Sequence, residues 1–166
     1  MSTKTVILNS VQIEQKIKRI AYQIYESNSA EKEIIIAGII GNGYVFAQKI
    51  TEILSEISTL KITLCELIIN KKNPLDTITT SLHIDDYTNK SIILVDDVLN
   101  SGATLIYGIK HFLNVPLKQF QTAVLVNRNH KKYPVKADFK GISLSTSIKE
   151  HVIVEFTKNS ALAYLM

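Results

Sequence analysis

The chain has little of several residue types, and each shortage excludes a class of protein. Cys65 is the only cysteine among 166 residues, so an intrachain disulfide is impossible and a reducing cytoplasm is the expected location. With one thiol and four scattered histidines, the usual ligand sets of a zinc site are missing as well. The sequence therefore predicts a cytoplasmic protein without disulfide or zinc support.

Long hydrophobic runs are also missing. The longest apolar stretch, residues 34–47, is interrupted by three glycines and Asn42, whereas a membrane-spanning helix needs about 20 mostly apolar residues. The first ten residues, MSTKTVILNS, contain no apolar segment of the kind found in secretory signals. A length of 166 residues with 46% apolar and 20% charged side chains is typical of one soluble domain, here residues 1–166, without a membrane partner.

Arginine is scarce although the chain is basic. Of 19 basic residues only Arg19 and Arg128 are arginines, and the net charge is +4. This charge permits an anionic partner without identifying one. Because bidentate phosphate contacts need guanidinium groups, phosphate binding here would depend on lysines and main-chain N–H groups.

The spacing of the apolar residues predicts an α/β protein. Helical periodicity favours helices over residues 9–27, 46–57 and 103–113, the first capped by Asn9. Continuous apolar runs predict strands at residues 33–40, 60–70, 91–97 and 120–127, with shorter strands near 138–144 and 151–156 and a polar loop over 71–90. Alternating strands and helices imply a Rossmann-like, mostly parallel sheet flanked by helices.

Two polar loops follow strands of this predicted sheet. Asp96 and Asp97 end the run SIILVDD, and Gly41–Asn42–Gly43 follows another strand. Ligands of parallel sheets bind outside the carboxyl ends of the strands. We therefore expect both loops at one edge of the sheet, with the acid pair at the carboxyl end of its strand, although the glycines alone would also suit a tight turn.

The segment DDVLNSGAT combines two kinds of ligand group. Main-chain N–H groups of Ser101 to Thr104 lie where a loop enters a helix, a position that favours an anion such as phosphate. The preceding carboxylates can accept hydrogen bonds from sugar hydroxyls or face a divalent cation. A phosphorylated ribose fits both halves, whereas an acid pair alone would more simply be a solvated strand end.

The same segment, IILVDDVLNSGAT, resembles the phosphoribosyl-pyrophosphate signature of type I phosphoribosyltransferases. Four other segments resemble, in order, the subfamily of bifunctional pyrimidine operon attenuation protein/uracil phosphoribosyltransferase: VILNSVQIEQKIKRIAYQIYE, AGIIGNGYVFAQKITEIL, TAVLVNRNHKKYPVKADFKG and LSTSIKEHVIV. The resemblance implies the type I phosphoribosyltransferase fold with a small hood. It also implies transfer of phosphoribose to a nucleobase, a pyrimidine such as uracil, with release of pyrophosphate.

The resemblance implies a role for several groups of residues. Asp96 and Asp97 would bind the ribose hydroxyls, and Mg²⁺ would bridge ribose and pyrophosphate oxygens with these two acids as its possible protein ligands. The remaining roles would be the 5′-phosphate loop (Val98, Leu99, Asn100, Ser101, Gly102, Ala103, Thr104), the pyrophosphate loop (Gly41, Asn42, Gly43), the hood (Lys71, Lys72), the nucleobase site (Val126, Asn127, Arg128) and RNA contacts (Lys18, Arg19, Lys131, Lys132). Family members form homodimers or larger homo-oligomers, which we expect here.

Three departures from the family favour a second hypothesis. Ile40 and Asn42 replace a lysine and an arginine of the pyrophosphate loop, NKKNPLD replaces a Tyr-Arg-Asp-Asp stretch of the hood, and Asn127 replaces an acidic residue of the base site. Asn100 stands where purine-specific relatives have an aspartate, and an amide cannot act as a general base. The alternative is a catalytically weakened, nucleotide-sensing RNA-binding regulator of pyrimidine genes.

A third class, the phosphoacceptor receiver domain, also has paired aspartates at strand ends. Such domains gather their acidic residues from separate strands and keep a lysine near a later strand end. They have no phosphate-binding loop directly after the pair, so this class fits the sequence least well.

Overall fold

A computed structural model describes residues 3–147 and 149–166 of the chain. Thirteen elements follow one another along these residues. They are β1 (Thr5–Leu8), α1 (Ser10–Ser27), β2 (Glu33–Ile39), α2 (Asn42–Ile57), β3 (Lys61–Ile68), β4 (Thr79–Thr80), α3 (Ile84–Tyr87), β5 (Ser91–Leu99), α4 (Ala103–Phe112), β6 (Gln119–Asn127), β7 (Phe139–Ser143), β8 (Val152–Phe156) and β9 (Ala161–Leu165).

Helix α1 begins where the sequence predicts. The Asn9 side chain accepts from the Gln12 main-chain N–H, and the Gln12 side chain accepts from that of Asn9, each at 2.9 Å. This reciprocal pair satisfies two donors that a helix start leaves unpaired. At 18 residues α1 is the longest helix, and none of the helices in the described ranges is long and apolar enough to cross a membrane.

The main sheet has six strands in the order β4-β3-β2-β5-β6-β7. Strands β3, β2, β5, β6 and β7 are parallel, and the two-residue β4 is an antiparallel edge. Successive side chains point to opposite faces, so Ile93 and Val95 pack with α1 and α2 whereas Ile92 and Leu94 pack with α4. The Rossmann-like α/β architecture is confirmed.

The strand order reverses direction between β2 and β5. The chain leaves β2 through α2 toward β3, on one side, and leaves β5 through α4 toward β6, on the other. Helices α2 and α4 cover opposite faces of the sheet. The carboxyl ends of β2 and β5 therefore flank a topological switch point, where sheets of this kind bind ligands.

A second, three-stranded antiparallel sheet has the order β1-β9-β8. Our sequence reading predicts β8 but places no strand at β1 or β9, and it leaves β4 and the one-turn α3 inside the polar loop of residues 71–90. These four elements contain only four, five, two and four residues. Elements of this length give little periodic signal, and β1 forms only by pairing with β9 at the other end of the chain.

Candidate functional site

The acid pair lies inside strand β5, not beyond its end. The strand continues to Leu99, and Asp96 pairs with Val124 of β6. The residue exposure of Asp96 is 2%, while Asp97 is half-buried. The strand extends two residues beyond its predicted end at Asp97, because β6 continues the parallel ladder past the acid pair.

Burial determines the protonation of Asp96. Its Oδ1 accepts from the Asp97 main-chain N–H at 2.9 Å, and Lys71 Nζ lies 3.4 Å away. Loss of hydration, and then the charge of Asp97, raise the pKa of the Asp96 carboxyl to about 8, against the opposing effect of Lys71. The raised pKa favours the neutral carboxyl, which can both donate to and accept from sugar hydroxyls, whereas an ionised carboxylate only accepts.

A cavity of about 190 Å³ joins the acid pair to the loop that follows it. Twelve residues from three parts of the chain line this cavity. They are Lys71, the continuous run from Asp96 through Leu105, and Val152 of β8. The structure thus brings together the carboxylates and the loop Asn100–Thr104, as the sequence predicts for a sugar phosphate.

The loop Asn100–Thr104 presents main-chain donors. Gly102 has φ +88°, and a Cβ there would lie 2.5 Å from Val135 Cγ1, so only glycine fits without displacement. Within residues 3–147 and 149–166, the N–H groups of Ser101 and Gly102 find no acceptor. The Ala103 N–H donates to Ser101 Oγ at 3.2 Å, which leaves the helix start open to an anion on its other N–H groups.

Val98 and Leu99 take part in the site through their main chain. Their side chains are in the core, with residue exposures of 9% and 1%. The Leu99 carbonyl accepts from the Arg128 N–H at 3.1 Å. These two residues carry the chain from the acid pair to the phosphate loop and fix the distance between them.

The glycine loop after β2 reaches the same place. A Cβ on Gly43 would lie 2.9 Å from Asp96 Oδ1 and 3.1 Å from Asp96 Cα. Gly41, at φ +89°, has open space around its Cα. The Nδ2 of Asn42 donates to the Val154 carbonyl at 2.7 Å. This contact ties the loop to the small sheet.

Only one of the two predicted hood lysines faces the cavity. Asp76 accepts from the side chains of Asn70 and Asn73, at 2.8 and 2.7 Å, and so closes a compact turn. From this turn Lys71 extends to Asp96, while Lys72 is exposed and does not line the cavity. Lys71 is the one Lys or Arg side chain among the described residues that line it.

The predicted nucleobase residues are buried. Val126, Asn127 and Arg128 have exposures of 0%, 5% and 6%, and they are not among the described residues that line the cavity. The Asn127 carbonyl accepts from Leu144 N–H at 2.8 Å, and its Oδ1 accepts from Asn129 N–H at 3.2 Å. A nucleobase site on these side chains stays a prediction, and it would require them to leave their present partners.

The predicted RNA residues divide into two kinds. Arg19 donates to the carbonyls of Lys140 and Gly141 at 3.1 and 2.8 Å, so its guanidinium joins α1 to β7. Lys18, Lys131 and Lys132 are exposed. Of these only Lys132 has a link to the cavity, since its main-chain N–H donates to the Ser101 carbonyl at 2.7 Å.

Besides Leu105, which directly follows the motif and lines the cavity, two residues of the site escaped the sequence analysis. Val152 lines the cavity from the small sheet, and Val135 packs behind Gly102. Both are aliphatic residues remote from the motif in sequence. Nothing in their local pattern distinguishes them from ordinary core positions.

The protein offers few side chains that could act as metal ligands at this site. Within residues 3–147 and 149–166, no group of three or more His, Cys, Asp or Glu side chains could hold a metal ion. Magnesium differs from zinc in this respect, because it is commonly bound through one or two carboxylates plus waters and substrate phosphates. The half-buried Asp97 suits this role better than the buried Asp96, whose pKa is raised.

A family model and relatives of similar length each match most of the chain. Residues 4–158 match the phosphoribosyl transferase domain family. The chain is 34% identical over 164 residues to a "Bifunctional protein PyrR" of Streptococcus mutans serotype c. The aligned region covers 95% of this chain and 91% of that protein. The protein of the same name from Streptococcus pneumoniae is 34% identical over 163 residues, with coverages of 95% and 92%.

Solved structures extend the likeness to the fold. A hypoxanthine-guanine phosphoribosyltransferase of Bacillus anthracis has a TM-score of 0.72 at 21% identity, covering 87% of this chain and 84% of its own. A hypoxanthine phosphoribosyltransferase of Staphylococcus aureus has a TM-score of 0.73 at 14% identity, with coverages of 87% and 80%. At these identities the likeness concerns the fold alone.

Proposed function

The chain belongs to the phosphoribosyl transferase domain family, and we propose that residues 1–166 act as a single domain that binds phosphoribosyl pyrophosphate. With Mg²⁺ it transfers the ribose 5-phosphate group to a nucleobase, a pyrimidine such as uracil, and releases pyrophosphate. The cavity that joins the acid pair to the open N–H groups of Ser101 and Gly102 is the observation that carries this proposal.

Each end of this substrate has a counterpart in the cavity. The 5′-phosphate would accept from the N–H groups at the start of α4, where the helix dipole favours an anion. The 2′- and 3′-hydroxyls would meet Asp96 and Asp97. Pyrophosphate would extend toward Gly43 and α2, because this loop lies against Asp96.

The reaction needs positioning and charge stabilisation more than a nucleophilic side chain. The bond between ribose C1 and a pyrophosphate oxygen breaks, a bond from C1 to a base nitrogen forms, and that nitrogen loses a proton. Bound by substrate oxygens and Asp97, Mg²⁺ would supply positive charge opposite the leaving group. Asp96 and Asp97 would hold the ribose while positive charge develops at C1.

Lys71 would supply protein charge near the leaving group. Ile40 and Asn42 carry none, and Asn42 is already paired with Val154. The Lys71 ammonium lies 3.4 Å from Asp96 and keeps 46% side-chain exposure, so it is free to turn toward an anionic substrate. A charge-assisted contact of this kind contributes roughly 1.5–3 kcal/mol.

Incubation with phosphoribosyl pyrophosphate, Mg²⁺ and each common base in turn tests the proposal. We expect uridine monophosphate and pyrophosphate from uracil, measured by chromatography. Asp97→Asn should abolish turnover, while Asp85→Asn, an exposed aspartate of α3, should keep it. No nucleotide from any base would refute the transferase proposal.

One contact favours a second function, that of a nucleotide-sensing RNA-binding regulator of pyrimidine genes. The main chain of Lys132, beside Lys131, donates to the Ser101 carbonyl within the phosphate loop. A ligand that moves this loop would therefore move two exposed lysines. This function predicts that phosphoribosyl pyrophosphate binds without turnover.

The regulator also predicts RNA retention on a filter that falls when Lys131 and Lys132 become alanine. Lys158→Ala, at an exposed position in the turn between β8 and β9, is the control and should leave retention unchanged. Retention that the double variant leaves unchanged, or no retention by the wild type, would remove RNA from the proposal. Both functions are consistent with a cytoplasmic homo-oligomer.

A further inference from the structure

One of the two arginines of the chain is buried directly behind the phosphate loop. Arg128 has 6% residue exposure, and it follows β6 at the end nearest the loop. Its Nη1 donates to Asn100 Oδ1 at 3.0 Å. Asn100 itself is exposed and lines the cavity, so a buried positive charge lies one amide group away from the proposed phosphate subsite.

The other two guanidinium nitrogens of Arg128, Nε and Nη2, donate to residues that lie between β7 and β8. Nε and Nη2 donate to Thr146 Oγ1 at 3.0 and 2.9 Å, and Nη2 also donates to the carbonyls of Ser147 and Glu150. A guanidinium held by this many partners from three loop residues has a fixed position. Arg128 therefore has little freedom to turn outward toward RNA or a base.

The chemistry of this contact fixes the orientation of the Asn100 amide. A guanidinium has donors only, so the group that faces Arg128 must be the amide oxygen. The Asn100 Nδ2 then points away from Arg128, and it finds no acceptor within residues 3–147 and 149–166. Electron withdrawal toward the guanidinium also makes this NH₂ a stronger donor.

We propose that Arg128 is a positioning residue for the phosphate subsite: it holds the Asn100 amide so that Nδ2 donates to the substrate's 5′-phosphate. This inference rests on the proposed binding of a phosphoribosyl ligand. It gives Arg128 a role different from nucleobase contact, and it makes Asn100 a neutral phosphate donor. The positive charge of Arg128 thus acts on the phosphate through the Asn100 amide that lies between them.

The variant Asn100→Asp distinguishes an effect on phosphate binding from an effect on the stability of the fold. An aspartate would pair with Arg128 at least as well as the amide does, so the melting temperature should stay the same or rise. The carboxylate offers no N–H and repels phosphate, so the dissociation constant for ribose 5-phosphate should increase at least tenfold in calorimetry. Asn159→Asp, an equal charge change in the exposed turn between β8 and β9, should bind like the wild type.

A double-mutant cycle tests whether Arg128 acts through Asn100. Arg128→Lys keeps the charge but loses the planar set of donors, so it should weaken ribose 5-phosphate about fivefold to tenfold in the wild-type background. In the Asn100→Ala background the same change should weaken binding by no more than about twofold.

The outcomes separate this inference from the proposed function. Equal losses in both backgrounds, or unchanged affinity in Asn100→Asp, would overturn the positioning role while leaving phosphoribosyl binding intact. Absence of ribose 5-phosphate and phosphoribosyl pyrophosphate binding by the wild type would overturn both. Because Asn100 is exposed, its variants should fold even if Arg128→Lys does not, and Asn100→Asp alone then decides.

Discussion

The protonation of Asp96 should make the stability of the protein depend on pH in a specific direction. Burial and the neighbouring Asp97 charge raise the pKa of its carboxyl from 3.8 to about 8, with Lys71 opposing. Between these two pH values the folded protein holds a proton that the unfolded chain releases. The stabilising contribution is therefore complete below about pH 4 and is lost as the pH rises toward 8.

Asp96→Asn removes this titration and keeps the shape of the side chain. Between the two pKa values, each unit of rising pH lowers the free energy of unfolding of the wild type by up to about 1.4 kcal/mol. Between pH 6.5 and pH 8 the free energy of unfolding of the wild type should fall, relative to that of the variant, by roughly 2 kcal/mol. The difference between the two proteins reports the titration of the acid pair, because Asp96 and Asp97 interact and all other titrating groups are the same.

Urea denaturation followed by circular dichroism at pH 6.5, 7.25 and 8 measures this difference. Asp85→Asn, at an exposed position, is the matched control and should follow the wild type at every pH. A free-energy difference between Asp96→Asn and the wild type that stays constant over the series would refute the reasoning. It would mean that Asp96 keeps one protonation state from pH 6.5 to pH 8, so that its pKa in the folded protein lies outside this range.

Further predictions concern the positive charge of Lys71, the glycines of the two loops and the cap of α1 at Asn9. Lys71→Met should raise the dissociation constant of phosphoribosyl pyrophosphate about tenfold in calorimetry, while Lys72→Met changes it less than about twofold; equal effects would contradict the assignment of Lys71. Gly102→Ala should lower the free energy of unfolding by about 2–4 kcal/mol and Gly41→Ala by only about 1–2. Both glycines have positive φ, but only Gly102 also meets a close neighbour, so the reverse order in chemical denaturation would be inconsistent. Asn9→Ala should cost about 1 kcal/mol in the same assay, and no loss would show that the cap is dispensable.

The main α/β elements follow from local pattern. The buried runs of β2 and β5, the helical spacing of α1 and the cap at Asn9 are each set by side chains a few residues apart. For the same reason the elements missed are the short ones. β1 exists because it pairs with β9 at the other end of the chain, and its own four residues carry no periodic signal.

The candidate site divides in the same way. The motif DDVLNSGAT identified the acid pair and the phosphate loop, because all of its ligand groups are contiguous in sequence. The positions of Arg128 and Lys71 could not be read in this way. Arg128 looked like part of a base site and is a buried partner of Asn100, and of two adjacent hood lysines only Lys71 reaches Asp96.

The sequence by itself determined the main strands and helices, the segment proposed to bind phosphate and the family resemblance, because short-range spacing controls each of them. Only the tertiary structure decided that Asp96 is buried, that Gly43 lies against it and that Val152 lines the cavity. These facts depend on how far neighbouring strands extend and on which loops meet at the switch point. Burial, and with it the pKa of Asp96, is a property of residues brought together from distant parts of the chain.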